Sequence, residues 1–284
     1  MGSGLGPDWT ELTRECLLNI FSRLSMQERW NGPMLVCKTL MNVCQDPSLN
    51  TIFDLETQFL SIPESINLWT SEFEAKVDST LRSVVDQSQG GLTEIRARHC
   101  TNQSISYVAE RCPNLEVLWI KYSPRVTVES MRKIALNCPK LKELDISFEI
   151  SCDCMEMVGN NCKNLEILKR NTMDPSEVER LEHTRSVPYT YLEDLSIMRT
   201  MTLGNVDVYT VVRHMRQLKH LELRFSTLTD IALERLCKAC SSLEYLDLFG
   251  CRNLTSDGVT NSISLLKNLK DIKKPDFEAL VFDY

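Results

Sequence analysis

Four histidines, His99, His183, His214 and His220, are the side chains best able to move protons near neutral pH. None has a serine or cysteine nucleophile beside it in a recognisable motif. The chain contains no Gly-x-Ser-x-Gly elbow, no phosphate-cradling glycine loop and no His-Glu-x-x-His helix. His220 and Glu222, two residues apart and so on one strand face, come nearest to an acid-base couple. Without a third group they read as a solvated surface pair. No catalytic residue and no cofactor are expected.

Cysteine is the other reactive type, with 12 in 284 residues. A metal site would draw on Cys152, Cys154 and Cys162, but a single residue between the first two is poor for zinc, which favours about two to four. No metal is expected. The spacing follows a repeat instead. Cys112-Pro-Asn-Leu115-Glu-Val-Leu118-Trp-Ile120 returns as Cys138-Pro-Lys-Leu141-Lys-Glu-Leu144-Asp-Ile146, again from Cys162 to Leu168, and again from Cys240 to Leu248. The steps are 26 (112 to 138) and 24 (138 to 162), a period that marks a solenoid. These thiols act as small apolar groups closing one helix before the next strand, and Cys100 and Cys251 end strand segments.

Stepping the phrase along the chain gives leucines that open strands at Leu92, Leu115, Leu141, Leu165, Leu192, Leu218 and Leu243, with a fragment at Leu269. Leu118 and Ile120, two apart, share the core face of a strand, and Val117, Trp119 and Lys121 turn outward. Met131, Ile134 and Ala135 then recur at helical spacing. Each repeat is strand, turn and helix, and no repeat buries its apolar face alone. The fold class is therefore α/β: a leucine-rich-repeat solenoid with a parallel strand ribbon on the concave side and helices on the convex side. About seven repeats occupy 91–274, and 275–284 forms a tail. The fourth unit is irregular from Asn171 to Val187; Val208, Val211, Val212 and Met215 supply the helical stripe of the fifth.

The alternation places Glu94, Val117, Glu143, Ile167, Asp194, His220 and Tyr245 in a first outward column, with Arg96, Trp119, Asp145, Lys169, Ser196, Glu222 and Asp247 in a second. A third holds Arg98, Lys121, Ser147, Asn171, Met198, Arg224 and Phe249. Large aromatics among polar neighbours resemble interface anchors, which are enriched in Trp, Tyr and Arg. Trp119, Lys121, Asp145, His220, Arg224, Tyr245 and Phe249 are the candidate contacts to a protein target. The alternative is that these side chains pack on their ladder neighbours.

Composition narrows the partners. With 43% hydrophobic and 25% charged residues the chain has the make-up of an ordinary globular protein, and its net charge of -7 disfavours nucleic acid. No apolar run reaches membrane-spanning length and Met1 to Asp8 has no leader pattern, so no membrane contact is expected and the nucleus or cytoplasm is the expected location.

Ahead of the repeats, 1–7 is Gly-rich and expected to be disordered, and 8–50 carries three short amphipathic helices. Leu17, Ile20, Phe21 and Leu24 form the first stripe. Ser25 to Glu28 has capping-box form, Gly32-Pro33 breaks the second helix with Pro33 starting a third, and Val36, Leu40 and Val43 line that third helix. A connector and N-terminal cap follow over 51–90. There Ser71 to Glu74 again has capping-box form, and Phe73, Val77, Leu81 and Val84 make a helical face that ends at Gly90-Gly91. This face is expected to cover the open end of the first repeat; a loosely docked helix is the alternative.

Leu12-Thr-Arg-Glu15-Cys-Leu17-Leu-Asn-Ile20-Phe21-Ser-Arg-Leu24, followed by Val36-Cys37-Lys38, resembles an F-box, with Thr13 and Leu40 where Pro and Trp are usual. With Glu28 to Val36 and Asp46 to Asp54, nearly the whole chain resembles plant F-box/leucine-rich-repeat proteins of the Skp-interacting-partner type. That resemblance implies a non-catalytic substrate receptor of an SCF-type ubiquitin ligase. Leu12, Glu15, Leu17, Ile20, Phe21, Leu24 and Val36 would face a Skp-family adaptor, and through it a cullin, with an unidentified target protein held on the repeats. A non-degradative scaffold or inhibitor is the competing reading, and a small-molecule receptor ranks below both.

Overall fold

A computed structural model describes residues 9–56, 70–147, 152–172 and 204–277. The N-terminal 1–7 segment and most of the tail lie outside these residues. Eight parallel strands form one ribbon in chain order: β1 (Ile52–Asp54), β2 (Glu94–Arg98), β3 (Val117–Lys121), β4 (Glu143–Asp145), β5 (Ile167–Lys169), β6 (His220–Glu222), β7 (Tyr245–Asp247) and β8 (Asp271–Lys273). Helices provide the crossover that each parallel pair requires. Leu118, Leu144, Leu168, Leu221 and Leu246 are ladder partners in turn, all fully buried in one continuous core. The solenoid read from the repeat phrase is thus the observed architecture.

The helices of this solenoid are α4 (Ser71–Ser88), α5 (Asn102–Arg111), α6 (Val128–Asn137), α7 (Cys152–Asn161), α8 (Asn205–His214), α9 (Asp230–Ala239) and α10 (Ser256–Ile263). A threonine caps the start of several: the Oγ1 atoms of Thr101, Thr127 and Thr255 accept from Gln103, Glu129 and Gly258 N–H. These threonines, and Thr229 at the start of α9, reach back one repeat. Thr101 N–H donates to Asp78 Oδ1 at 3.1 Å, Thr127 N–H to Asn102 Oδ1 at 2.7 Å, Thr229 N–H to Asn205 Oδ1 at 3.0 Å and Thr255 N–H to Asp230 Oδ1 at 3.0 Å. An Asx side chain on α4, α5, α8 and α9 therefore fastens the helix that follows.

At the other helix ends Cys112, Cys138 and Cys240 are the C-caps, fully buried like Cys162. The Cys138 thiol lies 3.5 Å from Cys112 O and that of Cys162 3.8 Å from Cys138 O, so each weak S–H donor points at the preceding turn. Burial pushes Cys112 and Cys138 up to about 12 and Cys162 and Cys240 up to about 11, which keeps them as thiols.

Three expectations are corrected. First, β5 pairs directly with β6, Ile167 opposite His220, so the ribbon position assigned to a strand opened by Leu192 is filled by β6. Leu192, Asp194, Ser196 and Met198 lie outside the described residues. Helix α8, with Val208 and Val211 buried, closes the turn that β5 opens. Second, the connector supplies a strand as well as a helix. β1 pairs with β2 and α4 packs against α5, so the solenoid begins at Ile52. The cap of α4 is Thr70, which accepts from Phe73 N–H at 3.1 Å; Glu74 is buried and faces Arg125 Nε at 3.3 Å. Third, Val36 is not on the third helix.

The helical unit consists of α1 (Arg14–Phe21), α2 (Met26–Asn31) and α3 (Lys38–Cys44), with a 3-10 turn over Pro33–Leu35. Pro33 starts that turn rather than α3, and Val36 follows it at 71% exposure. The expected capping box of α2 is present: Glu28 N–H donates to Ser25 Oγ and Ser25 N–H to Glu28 Oε2. Leu17, Phe21, Leu40, Val43, Cys44 and Leu49 make a small core of their own.

In the core column two residues past Ile95 and the ladder leucines stand Ala97, Ile120, Ile146, Leu223 and Leu248, and at β5 the same place holds Arg170, 1% exposed. Its Nη1 donates to Ile146 O at 3.2 Å and its Nε lies 3.7 Å from Asp207 Oδ1 on α8, which is itself buried. Breaking a buried ion pair by removing one partner costs about 3–5 kcal/mol, whereas replacing both with apolar groups is often near neutral. Arg170→Leu is accordingly expected to lower unfolding free energy by about that amount in urea titration, and Arg170→Leu with Asp207→Leu to recover most of the loss.

Candidate functional site

Every described repeat contributes side chains at matched positions to the outward face of the ribbon. On β2 and β3 alternate residues are buried and half-buried, as the period of two requires. Trp119 sits at the middle of β3, with Arg96 of β2 and Asp145 of β4 as its ladder partners. The Arg96 guanidinium lies 4.3 Å from the indole centroid, Lys169 Nζ 4.3 Å and Lys121 Nζ 4.9 Å, and Trp119 Nε1–H donates to Glu143 Oε1 at 2.8 Å. Three cations around one ring and a bond at its edge hold the indole in one orientation.

Those cations are themselves spaced by carboxylates. Arg96 meets Glu94 at 2.8 Å and Asp54 at 3.6 Å; Lys121 lies between Glu56 (3.6 Å) and Asp145 (3.7 Å), and Lys169 between Glu143 (3.4 Å) and Glu222 (3.8 Å). Arg98 forks onto Glu56, Nε to Oε1 at 2.7 Å and Nη2 to Oε2 at 2.6 Å. Opposite charges alternate across the strands, the pairing that stabilises neighbouring positions of a sheet.

Of the proposed target contacts, six are accessible on this face. His220 and Tyr245 are ladder partners whose rings stack at 4.2 Å and 15°. Arg224 lies over the Phe249 ring at 5.2 Å, and Lys121 flanks Trp119. Asp145 is the correction. It is 2% exposed, covered between Trp119 and Lys169, its ladder neighbours, and its Oδ1 accepts from Ser147 N–H and Oγ–H. Its carboxylate supports the face from beneath. Burial raises its pKa, against the pull of Lys121 and Ser147. The His220 and Glu222 pair is real, at 2.9 Å, but half-buried rather than solvated. Burial disfavours the Glu222 charge, yet the bonds from His220 and Asn171 and the Lys169 cation outweigh it and hold the group down to about 2.

A column the alternation argument missed runs just past the strands. His99, Tyr122 and Phe225 adopt φ of 55°, 46° and 56°, and Gly250 at the matching place 73°. Bulky side chains seldom take this left-handed conformation, and such outliers gather at functional sites. Phe225 owes its position to Gly250, where an added Cβ would lie 2.2 Å from Phe225 Cδ1. Arg98 covers Tyr122 and Arg224 covers Phe225, so this column repeats the cation-aromatic pairing of Trp119. Tyr122, Phe225, Lys121, Lys169 and Arg224 edge a hollow of about 370 Å3 on the ribbon face. Strand periodicity carries no sign of a left-handed residue; the Phe249-Gly250 step was the one available hint.

On the helical unit, the proposed adaptor contacts divide. Leu17 and Phe21 are buried in the unit's own core, Ile20 and Leu24 are half-buried against it, and Glu15, Leu12 (40% exposed) and Val36 are exposed. Trp9 and Leu35 add two more exposed apolar side chains. Among the described residues no cluster of His, Cys, Asp or Glu is arranged to hold a metal ion.

Burial, with help from Arg98, holds His99 down to about 3, while an unfolded histidine titrates near 6.5. Between those values the unfolded chain takes up a proton that the folded chain refuses, so stability falls as pH drops from about 6.5 toward 3. His99→Phe keeps a ring against Phe73 and Tyr122 and removes that proton. The acid limb of its stability curve, from denaturant midpoints between pH 6.5 and 4, is expected to be shallower by about 1.4 kcal/mol per pH unit.

Comparisons with known proteins agree with this architecture. A leucine-rich-repeat family model matches residues 239–261, the end of α9 through β7 into α10. F-box protein SKIP1 of Arabidopsis thaliana is 53% identical over 95% of this chain and 88% of its own length. F-box/LRR-repeat protein 19 of the same plant is 58% identical over 98% of this chain and 90% of its own. The crystal structure of the yeast Rad7 and Elc1 complex contains a chain that aligns with 94% of this one and 70% of itself at 16% identity and a TM-score of 0.36, too loose a likeness to add to the argument. At the identities of the two plant relatives over almost full length, the chain belongs to the F-box/leucine-rich-repeat proteins of plants.

Proposed function

We propose that this protein is the substrate-receptor subunit of an SCF-type ubiquitin ligase, its helical unit docking a Skp-family adaptor and through it a cullin, its ribbon face holding a target protein. The observation that carries the reading is the near full-length relationship to F-box/leucine-rich-repeat proteins, joined to a helical unit that leaves Trp9, Leu12, Leu35 and Val36 outside its own core. Exposed apolar side chains gathered on so small a unit fit an interface better than a free surface. The chain needs no catalytic group in this role. It raises the effective concentration of a target beside an enzyme carried elsewhere in the assembly, and proximity supplies the rate.

On the ribbon, Trp119 and the His220 and Tyr245 stack are ordered before any partner arrives, so little side-chain entropy is lost on binding. Rim charges such as Lys142 and Lys270, paired with Glu116 and Glu244, would act mainly on association rate and its salt dependence.

A charge on the exposed apolar set tests the adaptor contact without opening the core, as a substitution at Leu17 would. Val36→Glu and Leu12→Glu should each weaken capture of a purified Skp-family adaptor by about 2 kcal/mol or more while leaving the melting temperature near that of the parent chain. Undiminished capture by both would favour the scaffold reading. For the target, Trp119→Ala should lower recovery of bound proteins with adaptor capture intact, and Arg132→Glu, on the exposed side of α6, should leave both unchanged.

A further inference from the structure

The hollow on the ribbon face carries more cations than anions. Arg98, Lys121, Lys169 and Arg224 line it, opposed only by Asp145 and Glu222, in a chain whose net charge is -7. Both of these carboxylates already have other partners: Asp145 accepts from Ser147 N–H and Oγ–H, and Glu222 meets His220 through one oxygen and Asn171 through the other. Arg98 is likewise engaged, by its fork onto Glu56. Lys121 and Lys169 differ. Each Nζ meets its carboxylates only at 3.4–3.8 Å and donates to no acceptor among the described residues, whereas Lys142 and Glu116, an ordinary surface pair, close to 2.7 Å. The two ammonium groups converge, 4.9 and 4.3 Å from the Trp119 centroid, and both act on the Asp145 carboxylate in the lining. They are also within reach of a partner: the lysine side chains are 26% and 18% exposed and neither Nζ is buried, while Asp145 lies beneath them. Each offers three N–H donors to an incoming acceptor.

The kind of acceptor follows from what surrounds the lysines. Glu56, Glu143, Asp145 and Glu222 stand about the same two ammonium groups, so the attraction left over suits one negative charge rather than a phosphoryl dianion. The ladder decides how that charge arrives. Asp145, Lys169 and Glu222 follow Trp119 in register across β4, β5 and β6, and Asp247 continues the row in β7, two residues before Phe249. The hollow therefore lies between two accessible aromatics, Trp119 and Phe249, four strands apart. At about 4.8 Å per strand that is about 19 Å, the reach of about six extended residues. A segment crossing from one aromatic to the other passes over the hollow and can lower a side chain into it, whereas a chain end would leave the second aromatic uncovered. We propose that the hollow takes the carboxylate of an aspartate or glutamate within a target segment, its oxygens accepting from Lys121 and Lys169 Nζ, with an apolar residue on one side against Trp119 and another toward Phe249. Charge-assisted bonds of this kind are about twice as strong as neutral ones. The inference rests on the reading of the ribbon as the target-holding face, and it adds the chemistry of the target.

The probe is a library of nonapeptides, acetylated and amidated so that no end charge remains, with glutamate, glutamine or phosphoserine fixed at the centre and the other positions randomised. A further set has central glutamine and a free carboxyl end. Incubated with the full chain, the library should yield binders with an apolar residue on each side of a central glutamate. Titrated singly, these should bind about tenfold or more tighter than their glutamine counterparts, and tighter than the phosphoserine and free-end sets. Lys121→Gln and Lys169→Gln should each cut the preference for glutamate over glutamine to about twofold or less, with the glutamine peptides bound as by the parent chain. The preference in the parent should also shrink as sodium chloride is raised, a reading that needs no variant to fold. Equal affinity for glutamate and glutamine centres, tighter binding of phosphoserine or of a free chain end, or a glutamate preference that survives both lysine changes would overturn the proposal. Adaptor capture and the effect of Trp119→Ala are measured on the same preparations. Should they stand while the glutamate preference fails, the receptor reading is kept and the assignment of the hollow is lost.

Discussion

No single strand-helix turn of this chain can bury its own leucines, and the rest of the structure follows from that constraint. Leu118 has Ile95 of β2 as its ladder partner on one side and Leu144 of β4 on the other. Each turn is therefore stable only as part of the stack, and the ends need a different solution. At the N-terminal end the chain begins the ribbon early, with β1 and α4 built from a stretch that carries no repeat phrase. Between neighbours the leucines supply adhesion but little register, because apolar contact is non-directional. Register comes from directional bonds: ladder hydrogen bonds, the threonine to Asx links between helices and the thiols aimed at the carbonyls of the turn before.

The fourth turn shows how firmly the stack imposes itself. β5 and β6 are brought together across a gap of about fifty residues by bonds that continue past the strands, from Thr172 N–H to Arg224 O at 2.9 Å and between Asn171 and Glu222. Arg170 replaces a core leucine or isoleucine in this turn, and Asp207 meets it from α8. A buried pair of this kind adds less to stability than a well-packed apolar side chain would, and more to the choice of partner helix.

On the ribbon face the alternation of charges does for the aromatics what the leucine stack does for the strands. Trp119 is held by three cations, each of which also faces a carboxylate, so the indole cannot turn without disturbing several pairs. The face is thus prepared rather than adaptable. At its edge the chain passes from the helical unit directly into the ribbon, where Thr51 O accepts from Thr93 and Glu94 N–H, while Arg29 ties the end of α1 to the turn before β1 within the helical unit. The helical unit and the ribbon thus meet at backbone bonds beside β1.

Periods of two and of about 3.6 residues are written locally, so the chain alone was enough to read the repeat, its strand-turn-helix content and its inward leucines. The burial of Cys112, Cys138, Cys162 and Cys240, most of the outward columns, the F-box resemblance and the capping box at Ser25 were legible in the same way. Features that went astray depend on contacts between residues far apart. The spacing of leucines could not show that β6 rather than Leu192 lies beside β5, since step length says nothing of which strand returns to the ladder. Hydrophobic pattern put Val36 on a helix and Ser71 at a cap, boundaries that backbone geometry shifted by a few residues. Outwardness did not imply exposure for Asp145, whose burial comes from side chains on two other strands. The left-handed column, the Arg170 and Asp207 pair and the hollow beside Trp119 arise only where several elements meet, and no local pattern encodes that meeting.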